Sequence, residues 1–439
     1  MNRPRRAVAA ALADAFRAGE WDPPAMAARG RAALATRRRT WIEELARAVR
    51  SAYPDRPDDR ARELAEFIEA CPPFLDAWRA ADGRLRVRSW LEAPTAMGTN
   101  PGGWAVRPLP DVAALREWLG LTSGELAWFA DTRSLERSVT DERLRHYRYT
   151  WVAKPGGGRL LEAPKPRLKA IQRQVLDEVL APIPVHDAAH GFRAGRGVHT
   201  SVAPHVGRDT VVHLDLEAFF VSVGVGRVFA ILRTAGYPEP VAHLLTALTT
   251  NAVPVHVARH VVESSPRARR LVQALRTPHL PQGAPTSPAL ANLAARGLDR
   301  RIAGLARSVG AGYTRYADDL VLSGGRRLAD HAPGIVAAVE RIAVDEGFRV
   351  NEAKTTVRRR HQRQQVTGVV VNGGANVPRE DYDRLRALLH NAARHGPASQ
   401  NRQGHPHFRS HVLGRISWVA SLNPARGDKL REAFDRVDW

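Results

Sequence analysis

The chain has 439 residues, 44% hydrophobic and 25% charged, enough to bury a large core in roughly two or three structural units. Its formal net charge of +21 favours polyanionic partners, and no stretch is long and apolar enough for a membrane helix, which excludes a helical membrane protein. A single cysteine, Cys71, rules out a disulfide within the chain and points to the cytoplasm. In chain order, the Arg-Ala-rich start is interrupted by Asp14 and Arg17 and reads as an amphipathic helix rather than a signal peptide. Helical periodicity recurs around Trp41–Tyr53, Ala61–Glu69 and Val112–Leu119, with a Pro/Gly-rich connection over Ala93–Pro110. Thr122 or Ser123 caps a further short helix that ends near Ala130.

From Arg145 the texture changes. Tyr147–Ala153 alternates like a strand, Pro155-Gly156-Gly157-Gly158 reads as a turn, and Arg159–Ala163 as the return strand. Lys169–Leu180 has helical periodicity. Strands are expected at 211–216, 311–316, 319–323 and 366–371, and helices near 225–235, 240–250, 288–307 and 333–346. That order fits an α+β fold built on a split βαβ sheet. The segment from Arg379 to Trp439 is expected to be helical, with a Gly/His/Pro-rich interruption at 395–407.

The chemistry concentrates in three places. Tyr316-Ala317-Asp318-Asp319 lies between two apolar runs and predicts a hairpin whose tip carries adjacent carboxylates. An isolated Asp-Asp pair would read as a solvated turn, but Asp215 closes another apolar run, Val211–Leu214. Were the two strands neighbours, three carboxylates would converge, a hard-oxygen set suited to two Mg²⁺ ions in phosphoryl transfer. Between them lies Leu280-Pro281-Gln282-Gly283-Ala284-Pro285-Thr286-Ser287-Pro288. Gly283 permits close backbone approach of a ligand, and Ser287 is placed to cap a helix opened by Pro288. Only five cations are lysine (154, 165, 169, 354 and 429), and four of them fall in or beside two further segments, the expected hairpin and helix over 147–180 and the stretch Gly347–Thr355.

Asp215-Leu216-Glu217-Ala218-Phe219-Phe220, the Pro-Gln-Gly loop and the Tyr-Ala-Asp-Asp turn follow the order of polymerase motifs A, B and C. Over roughly 145–439 the chain resembles a bacterial retron-type reverse transcriptase. Arg159, Pro164, Leu168-Lys169 and Gln172-Arg173 resemble the first fingers block, and Gly191-Phe192-Arg193-Ala194-Gly195-Arg196 the second. Gly347-Phe348-Arg349-Val350-Asn351 with Lys354-Thr355 resembles motif D, and Val366-Thr367-Gly368 the retron tripeptide used in recognising the cognate RNA. The Asn-Ala-x-x-His element common in retron enzymes is altered: the matching stretch after the second block is Ser201-Val202-Ala203-Pro204-His205, and Asn251-Ala252 has its histidine, His256, one position further on.

The resemblance implies a right-hand polymerase of fingers, palm and helical thumb with an α-helical N-terminal region. The expected division is 1–140 for that region, binding RNA or an effector, 141–375 for fingers and palm, and 376–439 for the thumb. It implies two Mg²⁺ on Asp215, Asp318, Asp319 and the Leu216 carbonyl, with Lys354 as proton donor to departing pyrophosphate or a plain phosphate contact. Phe219 is the expected steric gate against a ribose 2′-OH, unless it is core like its neighbour Phe220. Lys154 and Arg159 would grip the incoming dNTP, and Gln282 and Gly283 would floor it. Val366, Thr367, Gly368, Arg415 and Trp418 would touch RNA. The partners implied are a structured noncoding RNA, its RNA–DNA product, dNTPs and an effector protein, with no membrane. The basic runs Arg37–Arg39 and Arg358–Arg363 read as phosphate tracks or solvated faces, and the histidines at 390–411 lack zinc spacing. Other classes to weigh are a protein-primed or untemplated defence reverse transcriptase, a non-catalytic RNA-binding scaffold and a nucleotide cyclase.

Overall fold

The computed structural model describes residues 3–34, 40–58, 60–91, 95–154, 157–259 and 265–439. Arg37–Arg39 and the tip Pro155-Gly156 lie outside the described residues, as does the Lys154 side chain. Contacts divide the chain into two compact units, Met1–Pro184 with Val223–Leu290, and Val185–Ser222 with Ala291–Trp439. Among the described residues no helix is long and apolar enough to cross a membrane.

In the first unit, helices Arg3–Arg17, Pro23–Ala33, Thr40–Ala52, Ala61–Ala70 and Pro72–Ala80 surround a core that includes Leu12, Phe16, Met26, Ile42, Leu45, Leu64 and Phe74. Their starts follow from capping chemistry. The Asp22 side chain accepts the Ala25 N–H ahead of prolines at the first turn, and Thr122 with Glu125 forms a capping box for Ser123–Phe129. Asp111 and left-handed Gly120 bracket Val112–Leu119. Strands β1 (Tyr147–Lys154) and β2 (Gly157–Pro164) form an antiparallel hairpin. The helix expected over 169–180 starts earlier, at Pro166, and gives way at Val175 to a π-turn over Leu176–Leu180. Helix Pro266–Arg276 was not legible in the sequence, because four arginines mask a stripe in which only Val272 and Leu275 are buried.

The second unit holds β3 (Thr210–Asp215), β4 (Gly312–Tyr316), β5 (Asp319–Gly324) and β6 (Thr356–Arg359), in the order β4-β5-β3-β6 with all neighbours antiparallel. Val211, Val212, Leu214, Leu320, Val321 and Leu322 are all buried, so these neighbouring strands are covered on both faces. The helix expected at 333–346 begins at Arg326, so Pro333 sits inside it instead of opening it. The helix expected at 288–307 is two, Ser287–Ala294 and Arg296–Ser308. The single strand expected at 366–371 is a miniature hairpin, β7 (Gln365–Val366) and β8 (Val369–Val370), because Thr367 and Gly368 take φ of +47° and +83°. The C-terminal helices Arg379–His395, Phe408–Leu422 and Pro424–Asp435 share a core of Leu385, Leu389, Val412, Ile416, Leu430 and Phe434.

Candidate active site

β3 ends at Asp215 and β5 begins at Asp319, and the antiparallel register sets these two residues directly opposite. The turn joining β4 to β5 contains only Ala317 and Asp318 between the paired Tyr316 and Asp319. Ala317 adopts φ +56°, a left-handed conformation costly for a residue with a Cβ. The Leu216 N–H donates to the Asp318 carbonyl at 2.9 Å, which draws the end of β3 to the turn. Thus the structure gathers Asp215, Leu216, Asp318 and Asp319 at one end of the sheet.

Motif D closes on the same place. The Asn351 N–H donates to the Asp215 carbonyl at 2.7 Å and Glu217 N–H to the Arg349 carbonyl at 2.8 Å. Lys354 Nζ stands 2.7 Å from Asp215 Oδ2, and Asn351 Nδ2 donates to Oδ1 at 3.3 Å. His213 Nε2 lies 3.4 Å from Asp319 Oδ1. Burial raises the Asp318 carboxyl above its usual range, and the Asp215 charge adds to the shift. Burial disfavours charge on His213, but the Asp319 carboxylate outweighs it and the imidazole is raised. Among the described residues no three His, Cys, Asp or Glu side chains are gathered as a metal-ligating group. The oxygen donors of Asp215, Asp318 and Asp319 nevertheless suit a hard divalent cation. Here the Lys354 ammonium supplies the counter-charge to Asp215.

Beneath the turn lies a buried polar frame that the sequence reading missed. Arg315 and Asp299 are wholly buried and joined by two bonds, Nε to Oδ1 at 2.8 Å and Nη2 to Oδ2 at 2.6 Å. Tyr313 OH donates to Asp299 at 2.9 Å. Arg315 Nη1 donates to Asn292 Oδ1 at 2.8 Å and to the Ala317 carbonyl at 3.1 Å, so the guanidinium grips the backbone of the β4–β5 turn directly. The available signal was strand alternation, which turns Arg315 and Tyr313 to the same face and made an inward arginine readable.

Phe219 is buried, its ring 5.6 Å from Phe220 and 5.7 Å from Phe348, with Arg315 Cζ 5.5 Å from its centroid. Phe220 is half-buried.

Other expected residues lie in the first unit. Arg159 is half-buried on β2 opposite Val152, and Lys154 ends β1 opposite Gly157. The Gln282 carbonyl accepts the Glu162 N–H at 2.8 Å. Gly283 has φ +134°, and a Cβ there would lie 3.0 Å from the Glu162 carbonyl. Its close approach is therefore to β2 of its own unit, where the sequence reading had placed a ligand. Ser287 is likewise no cap: it is the first residue of its helix, and its hydroxyl donates back to the Pro281 carbonyl at 2.7 Å. Glu162 is itself buried, 2.9 Å from His279 Nε2 and accepting from Asn251 Nδ2 at 2.7 Å. Asn251 of the altered Asn-Ala element thus ties the loop's base, while His256 is exposed.

Val366 is fully buried among Val202, Val211, Val321 and Val369, which corrects its assignment as an RNA contact; at the hairpin tip Gly368 is exposed and Thr367 half-buried with its hydroxyl turned in. Arg415 is half-buried and Trp418 is exposed on one helix, the Trp418 ring 5.4 Å from His199. Arg358 to His361 are exposed on and beyond edge strand β6. His405 and His411 stack with ring centroids 4.3 Å apart.

Comparison with known proteins matches residues 152–371 to the model of reverse transcriptase (RNA-dependent DNA polymerase). The chain is 43% identical to the retron Mx65 reverse transcriptase of Myxococcus xanthus over 88% of its length and 83% of the relative's. It is 38% identical to the retron Mx162 reverse transcriptase of the same organism, over 73% of this chain and 65% of that one. With the retron Ec86 reverse transcriptase of Escherichia coli it shares 32% identity over 63% and 77%.

Proposed function

The chain belongs to the retron-type reverse transcriptases and is an RNA-directed DNA polymerase; on that premise we propose that it copies part of a cognate structured noncoding RNA into short single-stranded DNA. Synthesis would start from a 2′-OH of the RNA itself, and the product would serve anti-phage defence with an effector protein. The observation that carries the site assignment is the register setting Asp215 opposite Asp319, with Asp318 on the adjoining turn.

On this reading Asp215, Asp318, Asp319 and the Leu216 carbonyl hold two Mg²⁺. Bound there, the ions lower the pKa of the primer hydroxyl and neutralise the triphosphate. Lys354, whose Nζ lies 2.7 Å from Asp215 Oδ2, would be the group that protonates departing pyrophosphate. Lys154 and Arg159 bind the triphosphate, and Gln282 forms the floor under the base pair, with Gly283 seating its loop on β2. Phe219, immobilised between Phe348 and Arg315, serves as the ring that excludes a ribose 2′-OH. The Thr367-Gly368 tip contacts the cognate RNA, and Arg415 and Trp418 hold the duplex. The β1–β2 hairpin unit would be the fingers, the four-stranded sheet the palm, the C-terminal helices the thumb, and the N-terminal helices a contact for RNA or effector.

The test is primer extension on an RNA template with dNTPs and Mg²⁺. Asp215→Asn and Asp318→Asn should each fall to background while remaining folded. Extension by either variant at a rate near that of the unmodified protein would remove the acid assignment.

A further inference from the structure

Phe192 is an exposed aromatic that packing does not explain. The residue is 52% exposed, and its backbone holds φ +58°, a region a bulky side chain enters only when its surroundings force it. Here they do. The Gly191 carbonyl accepts from Asn292 Nδ2 at 2.9 Å, the His190 N–H donates to the Arg315 carbonyl at 2.8 Å, and a Cβ on Gly191 would come within 2.9 Å of the Ala317 N. The segment is thus pinned to the Asp318-Asp319 turn by the same buried frame that holds the turn. One side of the ring is backed by Phe220 and Tyr316, at centroid distances of 6.1 and 6.4 Å, while the rest faces outward. Arg193 and Arg196, the next cations along the chain, lie 3.3 and 3.9 Å from the highly exposed carboxylate of Asp187.

A core-filling phenylalanine would not need a strained backbone to present half its surface to solvent. We propose that Phe192 is a stacking platform for a nucleobase at the polymerase turn, with Arg193 and Arg196 placed for the adjoining phosphates. The proposal rests on the polymerase reading. The base comes either from the template strand or from the incoming nucleotide, and both present the same π-face.

Two variants separate stacking from packing. Phe192→Leu keeps apolar contact with Phe220 and Tyr316 but has no ring face, whereas Phe192→Trp enlarges the face. Both are compared with the unmodified protein for thermal midpoint, for affinity of a fluorescent RNA-template–DNA-primer duplex, and for kcat and KM of the dNTP. A second template carries an abasic unit at the templating position. Loss of one base stack should lower kcat/KM in Phe192→Leu by roughly tenfold or more, with Phe192→Trp close to the unmodified protein. If the partner is the templating base, duplex affinity falls and the difference between the proteins disappears on the abasic template. If it is the nucleotide's base, the KM of the dNTP rises and the difference survives. Phe192→Leu matching the unmodified protein, or losing kcat alone with both affinities unchanged, overturns the platform and leaves the polymerase reading standing. No extension by the unmodified protein removes both.

Discussion

Asp299→Ala is the sharpest perturbation of the frame under the acids. It leaves the Arg315 guanidinium, wholly buried, without the carboxylate that accepts from Nε at 2.8 Å and Nη2 at 2.6 Å, and it orphans the Tyr313 hydroxyl as well. Removing one partner of a buried pair costs about 3–5 kcal/mol, a large part of a typical total of about 5–15 kcal/mol. With a urea slope of about 2–3 kcal/mol per molar, the unfolding midpoint of the second unit should fall by roughly 1.5 M. Asp299→Leu combined with Arg315→Met removes both charges and should recover most of that loss. Recovery should stop short by about 1–3 kcal/mol, because Asn292 Oδ1 and the Ala317 carbonyl lose their donor and the Tyr313 hydroxyl its acceptor. Primer extension should stay low in the double variant, because the turn that carries Asp318 loses the guanidinium bond to its Ala317 carbonyl. Equilibrium urea unfolding and primer extension measured on the same preparations decide the matter. A cost below about 1 kcal/mol for Asp299→Ala, or full activity in the double variant, would refute the reasoning.

Lys354→Ala should lower kcat by roughly a hundredfold with little change in KM, and Lys354→Arg should restore only part of it; a change confined to KM would make the lysine a phosphate contact. Its stability cost should be small, about 1 kcal/mol or less, because the ammonium is half exposed. His205 lies within 2.7 Å of both Ser323 Oγ and Thr314 Oγ1, and burial lowers its pKa to about 4. An imidazole kept neutral by the fold contributes stability that is complete above its unfolded pKa near 6.5 and is lost as pH falls toward 4. The stability-against-pH slope over that window should therefore flatten in His205→Gln, and an unchanged slope would assign the pH dependence to other groups. Gly283→Ala puts a Cβ into a φ of +134° and 3.0 Å from the Glu162 carbonyl, and should cost about 1–3 kcal/mol in the first unit's unfolding.

The strands around the acids were legible because their signals are local. Alternating apolar residues ran up to Asp215 and on from Asp319, and a two-residue gap bearing Asp318 allowed only a tight turn. The antiparallel neighbour relation of β3 and β5 was a supposition in the sequence, and only the register makes it a fact. Long-range partners stayed hidden. Nothing near Arg315 announces that Asp299 and Asn292 will surround it, and nothing near Gly283 names β2 as the backbone it approaches. Val366 misled because a recognition-like tripeptide and a core valine look alike until burial is known. Helix Arg326–Asp345 ran through the proline expected to open it, because its buried stripe from Leu328 to Ala343 outweighs one lost backbone bond.

The nucleic acid that the protein carries tests the central claim most directly. The protein is purified from a strain expressing it with its native flanking sequence, beside an Asp318→Ala/Asp319→Ala double variant, and the bound nucleic acid is sequenced. A short defined DNA joined to RNA through a 2′ linkage, present only with the intact acids, is the predicted result. DNA attached to protein, a long repetitive product, or RNA with no DNA in either sample would contradict it.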